Sequence, residues 1–342
     1  MASIMGWDIG GVNIKAARLS PGGPARVALE PFELQRAPAR LGPTLARIAS
    51  TLGSDPDDHH AVTMTAELSQ FFRTKREGVE FVVEVAEGCF GSARVHLFGT
   101  DGSFHSPAEA RARPLKIAAA NWLATAQLVA QVVETCLLID IGSTTTDLIP
   151  IVRGEVVAAG RTDPDRLASG ELVYTGAVRT PAEAVAHTVP FRGATAGVSA
   201  EGFALMGDVH VWLGELSAEH YTVPTPDGRP ATRSFAGERL ARVVCGDREL
   251  LSDADIDAIA RALANAQTRL VLEAMGRVLG RHPVITTAAV TGLGDFMASR
   301  AAKEAGLSVT RLADRMGEAA AVAAPATAVA TLLEQALARA AR

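Results

Sequence analysis

Apolar positions come in short, turn-bounded runs near the start of the chain and again past its first third. Residues 4–9, 14–19 and 25–29 predict three strands joined by tight turns, the second turn being Ser20-Pro21-Gly22-Gly23-Pro24. A helical stretch follows over 43–52, then a strand over 61–65 and the start of a helix over 67–75. The same grammar returns at 137–141, 145–152 and 155–159, with Arg153-Gly154 as a hairpin turn. Two copies of strand-strand-strand-helix predict a duplicated α/β fold.

From 161 to 249 the clean periods disappear, and Gly, Pro, Thr and charged residues predominate. Such a stretch between regular halves is where a fold keeps a substrate-specific insertion. Ser252 with Asp255 then forms a helix-start signature, and Ile256, Ile259, Leu263, Leu270, Val271 and Val278 recur at helical spacing up to Gly280. A buried strand is predicted over 284–290, turning through Thr291-Gly292-Leu293-Gly294-Asp295 into another helix. The Ala-rich tail over 314–341 predicts a helix broken near Pro325 that packs back on the first half. The expected division is a first lobe over 1–135 that also carries the tail helix 315–342. A second lobe over 136–314 would hold the insertion at about 161–250.

The repeat acquires chemical meaning at its turns. Asp8-Ile9-Gly10-Gly11-Val12-Asn13-Ile14-Lys15 and Asp140-Ile141-Gly142-Ser143-Thr144-Thr145-Thr146-Asp147 each end an apolar strand in an aspartate and turn through glycine into the next strand. An Asp at a strand end can hold a divalent cation through water, and glycine lets backbone N–H groups approach phosphate oxygens without a Cβ in the way. The two turns are therefore expected to clamp a polyphosphate. Asp8 and Asp140 would be the carboxylates around Mg²⁺, and Gly10, Gly11, Asn13, Gly142, Ser143, Thr144 and Thr145 the anion-binding turn residues. Gly292 and Gly294 make a third glycine turn, backed by a helix dipole.

Composition narrows the partners. The chain has 342 residues, 48% of them apolar, and a formal net charge of −5 with no dense basic run, so neither nucleic acid nor an anionic membrane is an expected partner. No apolar run reaches the roughly 20 residues that span a bilayer, and the first residues carry Asp8, Lys15 and Arg18 where a secretory leader would be apolar. Three scattered cysteines, Cys89, Cys136 and Cys245, suit a reducing cytoplasm better than a disulfide framework or a zinc site.

The order of the three glycine turns, and a Lys seven residues after the first Asp, resembles the actin, hexokinase and Hsp70-like superfamily. That resemblance implies a two-lobed α/β, ribonuclease H-like architecture with a central cleft, in which the third turn sits beside a nucleoside. A narrower resemblance to the hydantoinase A/oxoprolinase branch rests on several stretches. They are Thr63-Met64-Thr65-Ala66-Glu67-Leu68, Asn121-Trp122, Asp140 to Asp147, Gly170-Glu171-Leu172-Val173-Tyr174-Thr175-Gly176, Asp208-Val209-His210 and Asp227-Gly228. Together they are similar to a family of tetrahydromethanopterin-linked one-carbon metabolism. Its archaeal members resemble methanofuran-biosynthesis synthases, which join a furanylmethyl diphosphate to the phenol of γ-glutamyltyramine.

The resemblance implies a Mg²⁺-assisted transferase acting on small molecules: a furanyl diphosphate and a phenolic amine or amino acid such as tyrosine. Lys15 would steady the leaving diphosphate. Glu67, Glu171, Asp208 and His210 stand as candidates for the phenol's base. Asn121, Trp122, Glu171 and Tyr174 are the candidate substrate contacts, Trp122 being equally readable as core. His210 lies in Asp208-Val209-His210-Val211-Trp212, which alternates like a strand, so it reads either as a hydrogen-bonded structural residue or, with Asp208 on the same face, as half of a metal site. The general fold equally admits an ATP-dependent kinase or amide hydrolase, or a regulator that binds ATP without turnover. A homodimer is left open.

Overall fold

The computed structural model describes residues 3–20, 23 and 25–341, so the turn expected at 20–24 lies largely outside the described residues. The chain opens on a meander of β1 (Ile4–Ile9), β2 (Asn13–Leu19) and β3 (Arg26–Pro31), each antiparallel to the one before it. Helix α1 (Leu41–Leu52) buries Leu41, Leu45, Ile48 and Leu52, one face at helical spacing, and ends at Gly53 in the left-handed conformation. Strand β4 (His59–Met64) then lies parallel to β1 on the side away from β2. Helix α2 (Lys75–Phe90), β5 (Val95–Phe98), β6 (Phe104–His105), α3 (Pro107–Ala112) and α4 (Asn121–Ala130) complete the stretch. The sheet order is β3-β2-β1-β4-β5-β6.

The second sheet begins with β7 (Cys136–Ile141), β8 (Thr146–Val152) and β9 (Glu155–Val156). Helix α5 (Asp163–Ser169), β10 (Leu172–Val173), α6 (Ala182–Val185), the hairpin β11 (Thr188–Phe191) and β12 (Ala194–Gly197), α7 (Met206–Leu213) and α8 (Arg233–Arg242) follow. The long α9 (Asp253–Arg281) starts at the Ser252–Asp255 capping box. It leads to β13 (Thr287–Thr291), α10 (Asp295–Glu304) and β14 (Ser308–Arg311). Strands β7, β13 and β14 are parallel neighbours in the order β10-β8-β7-β13-β14, with β9 pairing β8. Helices α11 (Ala313–Met316), α12 (Glu318–Val322) and α13 (Ala324–Ala340) end the chain. Pro325 falls in the first turn of α13, where its missing N–H removes no helical bond.

Two compact units result: Met1–Thr135 with Ile151–Val157 and Leu312–Arg342, and Cys136–Pro150 with Ala158–Arg311.

Four elements differ from the sequence reading. The helix start expected over 67–75 is only a 3-10 turn at Ala66–Leu68, and α2 begins at Lys75, where the Thr74 hydroxyl accepts from the Glu77 N–H. The strand expected over 155–159 stops at Val156, because Glu171 accepts hydrogen bonds from the N–H groups of Ala159 (2.8 Å) and Gly160 (2.9 Å) and draws the chain off the sheet. Strand β10 takes the vacated edge, pairing Leu172 with Asp147. The strand expected over 284–290 begins only at Thr287, since Pro283 has no N–H for a ladder and Val284 is exposed. Asp208 to Trp212 is helical rather than extended. Helix α7 is buried on all sides from Met206 to Trp212, which erases the one-sided apolar stripe, and Asp208 anchors its first turn by accepting from the Leu205 N–H (2.9 Å).

In the first unit β1 is buried on both faces. Met5, Trp7 and Ile9 join the core formed with α1 and α2, while Gly6 faces α13, where a Cβ would lie 2.0 Å from the Ala326 carbonyl oxygen. Gly6→Ala is therefore expected to destabilise the protein by about 1–3 kcal/mol. Gly11→Ala, which meets nothing within 4 Å, should stay close to wild type. Urea midpoints of the two variants check this pair.

Candidate active site

Both Asp-Gly turns close by the same backbone bond. In the first unit the Gly10 N–H donates to the Asn13 carbonyl (3.0 Å), and a Cβ on Gly10 would stand 2.7 Å from that oxygen. The N–H groups of Phe32 and Leu34 brace the turn from outside, on the carbonyls of Val12 (2.9 Å) and Gly11 (3.0 Å). Asp8 is almost fully buried at the end of β1, with the Lys15 Nζ 3.7 Å from its Oδ2 across the β1–β2 pair. Glu67 sits in a short 3-10 turn just after β4, beside Lys75 (4.0 Å), and is 1% exposed. Gly78 of α2 packs directly on the Glu67 backbone, where any Cβ would come within 2.5 Å of the Glu67 Cα. Asp8 and Glu67 thus lie at the C-terminal ends of two adjacent parallel strands, the usual ligand edge of such a sheet.

In the second unit the Gly142 N–H donates to the Thr145 carbonyl (2.9 Å). Backbone bonds from Ala177 to Gly142 (2.9 Å), and from Val178 (3.1 Å) and Arg179 (2.8 Å) to Ser143, lay a second segment along this turn. Gly176 makes that approach possible, as a Cβ there would be 2.5 Å from the Thr144 nitrogen. The N–H groups of Gly11 and Val12 in the first turn, and of Ser143 and Thr144 in the second, make no hydrogen bond among the described residues. They are the donors left for an anion, whereas the Gly10 and Gly142 donors hold the turns shut.

The third glycine turn meets the second. Thr291 pairs with Asp140 across β13 and β7, Gly292 has φ +90°, and a Cβ on it would lie 2.4 Å from the Asp140 Oδ1. The Gly294 N–H is already bonded to the Ile141 carbonyl (2.8 Å), and Asp295, first in α10, pairs with Arg311. Gly292 and Gly294 are therefore required for close packing around Asp140, and the expectation that the Gly294 amide faces a ligand is corrected.

Other expected contacts also change role. Trp122 is buried on α4 and cannot stack on a substrate, while Asn121 opens that helix half-buried. Glu171 is fully buried, committed to Ala159, Gly160 and Arg281 (3.2 Å), and so is a structural carboxylate. Tyr174 is exposed. Asp208 takes both Nε (2.8 Å) and Nη2 (2.7 Å) of Arg239; burial pushes its carboxyl up while Arg239 opposes that shift. His210 is buried, with Nδ1 2.9 Å from the Glu215 Oε2 and Nε2 2.9 Å from the Gln267 Oε1. Two positions apart on a helix, Asp208 and His210 point different ways, and among the described residues no group of three or more His, Cys, Asp or Glu could hold a metal ion. The suggested Asp208–His210 metal pair is therefore corrected.

Two residues escaped the sequence reading. Gln267 of α9 donates from Nε2 to the Thr175 hydroxyl (2.9 Å) and the Gly176 carbonyl (2.8 Å), tying the segment behind the second turn to His210. Its helical position alone gave no sign of this. Arg179 reaches the Thr144 hydroxyl from Nη1 (3.5 Å), and its only trace in the sequence is its place three residues after Gly176.

A profile of the hydantoinase/oxoprolinase family matches residues 58–336. The chain belongs to the hydantoinase/oxoprolinase family. Within this family it is 35% identical, over 98% of both chains, to a Methanocaldococcus jannaschii protein named (4-{4-[2-(gamma-L-glutamylamino)ethyl]phenoxymethyl}furan-2-yl)methanamine synthase. A Methanococcus vannielii protein of the same name is 33% identical over 62% of this chain and 97% of its own. Among solved structures, a nucleotide-free acetone carboxylase gives a TM-score of 0.57 at 11% identity, covering 96% of this chain and 70% of that one. This likeness concerns the fold alone, an α/β architecture of two six-stranded sheets in two units. No helix among the described residues is long and apolar enough to cross a membrane.

The chain Gln267–His210–Glu215–Arg300, buried at its first two members and partly exposed at its last two, makes stability depend on pH. Burial works to raise the Glu215 carboxyl, but hydrogen bonds from His210 and Arg300 outweigh it and hold the group below its ordinary value of 4.5. A lowered folded value means that this stabilisation is present above the ordinary range and is lost as pH falls through it. Glu215→Gln should cost on the order of 1–3 kcal/mol at pH 7. The gap from wild type, read from denaturation midpoints, should narrow as the pH is taken below 4.5.

Proposed function

We propose that this protein forms the aryl ether of (4-{4-[2-(γ-L-glutamylamino)ethyl]phenoxymethyl}furan-2-yl)methanamine, joining the phenol of γ-glutamyltyramine to a furanylmethyl diphosphate. The observation that carries the proposal is the near full-length identity with a synthase of that name. The two glycine turns, each with amides free to meet phosphate oxygens, support it.

In the reaction the carbon–oxygen bond to diphosphate breaks, its electron pair leaving with the diphosphate. The phenol oxygen bonds to the CH₂ carbon, and the phenol proton passes to a base. Positive charge on the carbon is shared with the furan ring, so the protein's main task is to stabilise the departing anion. In each unit the unbonded turn amides would serve this end, those of Gly11 and Val12 with the Lys15 ammonium in the first and those of Ser143 and Thr144 in the second.

Each turn brings one carboxylate, Asp8 in the first unit and Asp140 in the second, that would hold Mg²⁺ through water. When bound, Mg²⁺ would neutralise charge developing on the diphosphate.

Glu67, on the same strand edge as Asp8, is the carboxylate we assign to accept the phenol proton. With its cysteines unpaired, the protein suits a reducing cytoplasm.

Purified protein with Mg²⁺, a furanylmethyl diphosphate and γ-glutamyltyramine should release diphosphate in step with ether product measured by mass spectrometry, and chelation should stop both. Asp8→Asn and Asp140→Asn should each lower kcat/KM by about 100-fold or more. Glu67→Gln should lower it by about 10²- to 10⁴-fold. Acceptor-dependent ADP formation, or tight ATP binding with no ether under any of these conditions, would replace this reading with an ATP-dependent one.

A further inference from the structure

We propose that Arg179 is a binding residue for a pyrophosphoryl group, its guanidinium forming one wall of an anion site whose floor is the Ser143-Thr144 turn. The inference deepens the ether-synthase reading and rests on it for the identity of the diphosphate ester.

Three observations place this arginine. Its own N–H and that of Val178 both donate to the Ser143 carbonyl, at 2.8 and 3.1 Å, so the backbone that carries the side chain is fixed to the turn. The segment is held from behind as well: Gln267 bonds Thr175 and Gly176, and the Thr180 hydroxyl accepts from the Gly176 N–H (2.9 Å). From this anchored base the exposed side chain reaches back over the turn to the Thr144 hydroxyl (3.5 Å), next to the unbonded amides of Ser143 and Thr144.

Charge adds to this placement. In the same unit Arg166 is paired with Asp147, Arg239 with Asp208, Arg281 with Glu171, Arg300 with Glu215 and Arg311 with Asp295. Arg179 has no carboxylate partner among the described residues. A guanidinium held at a glycine turn, uncompensated and presenting a planar fork of donors, matches the two oxygens of a phosphate edge in a way that a lysine does not. The group it recognises is the pyrophosphoryl moiety common to a diphosphate ester, free pyrophosphate and ATP.

The test is calorimetric titration of magnesium pyrophosphate and, separately, magnesium ATP into wild type, Arg179→Ala, Arg179→Lys and Arg179→Gln. Arg269→Ala serves as a control for loss of one exposed positive charge in the same unit. Arg179→Ala and Arg179→Gln should weaken pyrophosphate binding at least about 10-fold, Arg179→Lys should recover only part of it, and Arg269→Ala should stay within about 2-fold. Melting temperatures without ligand should agree, because the side chain is exposed.

Wild-type pyrophosphate affinity in Arg179→Ala, with ether formation intact, would overturn the role of Arg179 and leave the synthase reading standing. An Arg179-dependent affinity for ATP alone, with no ether product, would keep the pyrophosphoryl site and overturn the synthase reading. Binding of neither ligand by wild type would overturn the site itself.

Discussion

A single backbone hydrogen bond, made twice, organises the chemistry of this protein. The Gly10 N–H on the Asn13 carbonyl and the Gly142 N–H on the Thr145 carbonyl each fold a strand back on itself at the point where an aspartate ends it. Because that bond uses the first glycine's donor, the donors of the next two residues are left facing outward without partners. A Cβ at Gly10 would collide with the very oxygen that closes its turn. Glycine is thus demanded by the closure of the loop, and the closure leaves the next two donors unbonded.

The same economy appears around Asp140. Gly292 and Gly294 were read as ligand-facing because glycine turns before helices commonly are. Here they allow β13 to run into α10 while pressed against the β7–β8 turn, with the Gly294 donor already engaged by Ile141. Only a residue without a side chain fits beside the carboxylate, since a Cβ on Gly292 would lie 2.4 Å from the Asp140 Oδ1.

Local periodicity carried most of the fold. The meander β1 to β3, the strands β4, β7 and β8, the capping box of α9 and the Arg153-Gly154 hairpin were legible because each is set by neighbouring residues. What escaped depended on groups far apart in sequence. Glu171 ends β9 by bonding residues 11 and 12 positions earlier, and α7 hides its helical period because every side of it is covered. Among the candidate site residues, the two aspartates and Lys15 were singled out by the repeated pattern. The carboxylates Glu171 and Asp208 and the imidazole of His210 looked chemical, since burial and pairing with Arg281, Arg239 and Glu215 are invisible along a chain. Arg179 was missed for the converse reason: nothing in the sequence shows that an arginine has no partner.

The seat of α13 on β1 also has a bearing on how the protein comes into being. Gly6 and Ala326 touch although almost the whole chain separates them, so the strand that ends in Asp8 acquires one of its two covers late in synthesis. On the ribosome, the even-numbered face of β1, with Ile4 and Gly6, lacks its α13 cover while the second sheet is still being made. Damage to the tail helix would then act at the opposite terminus, loosening the strand that carries Asp8 without altering a residue near it.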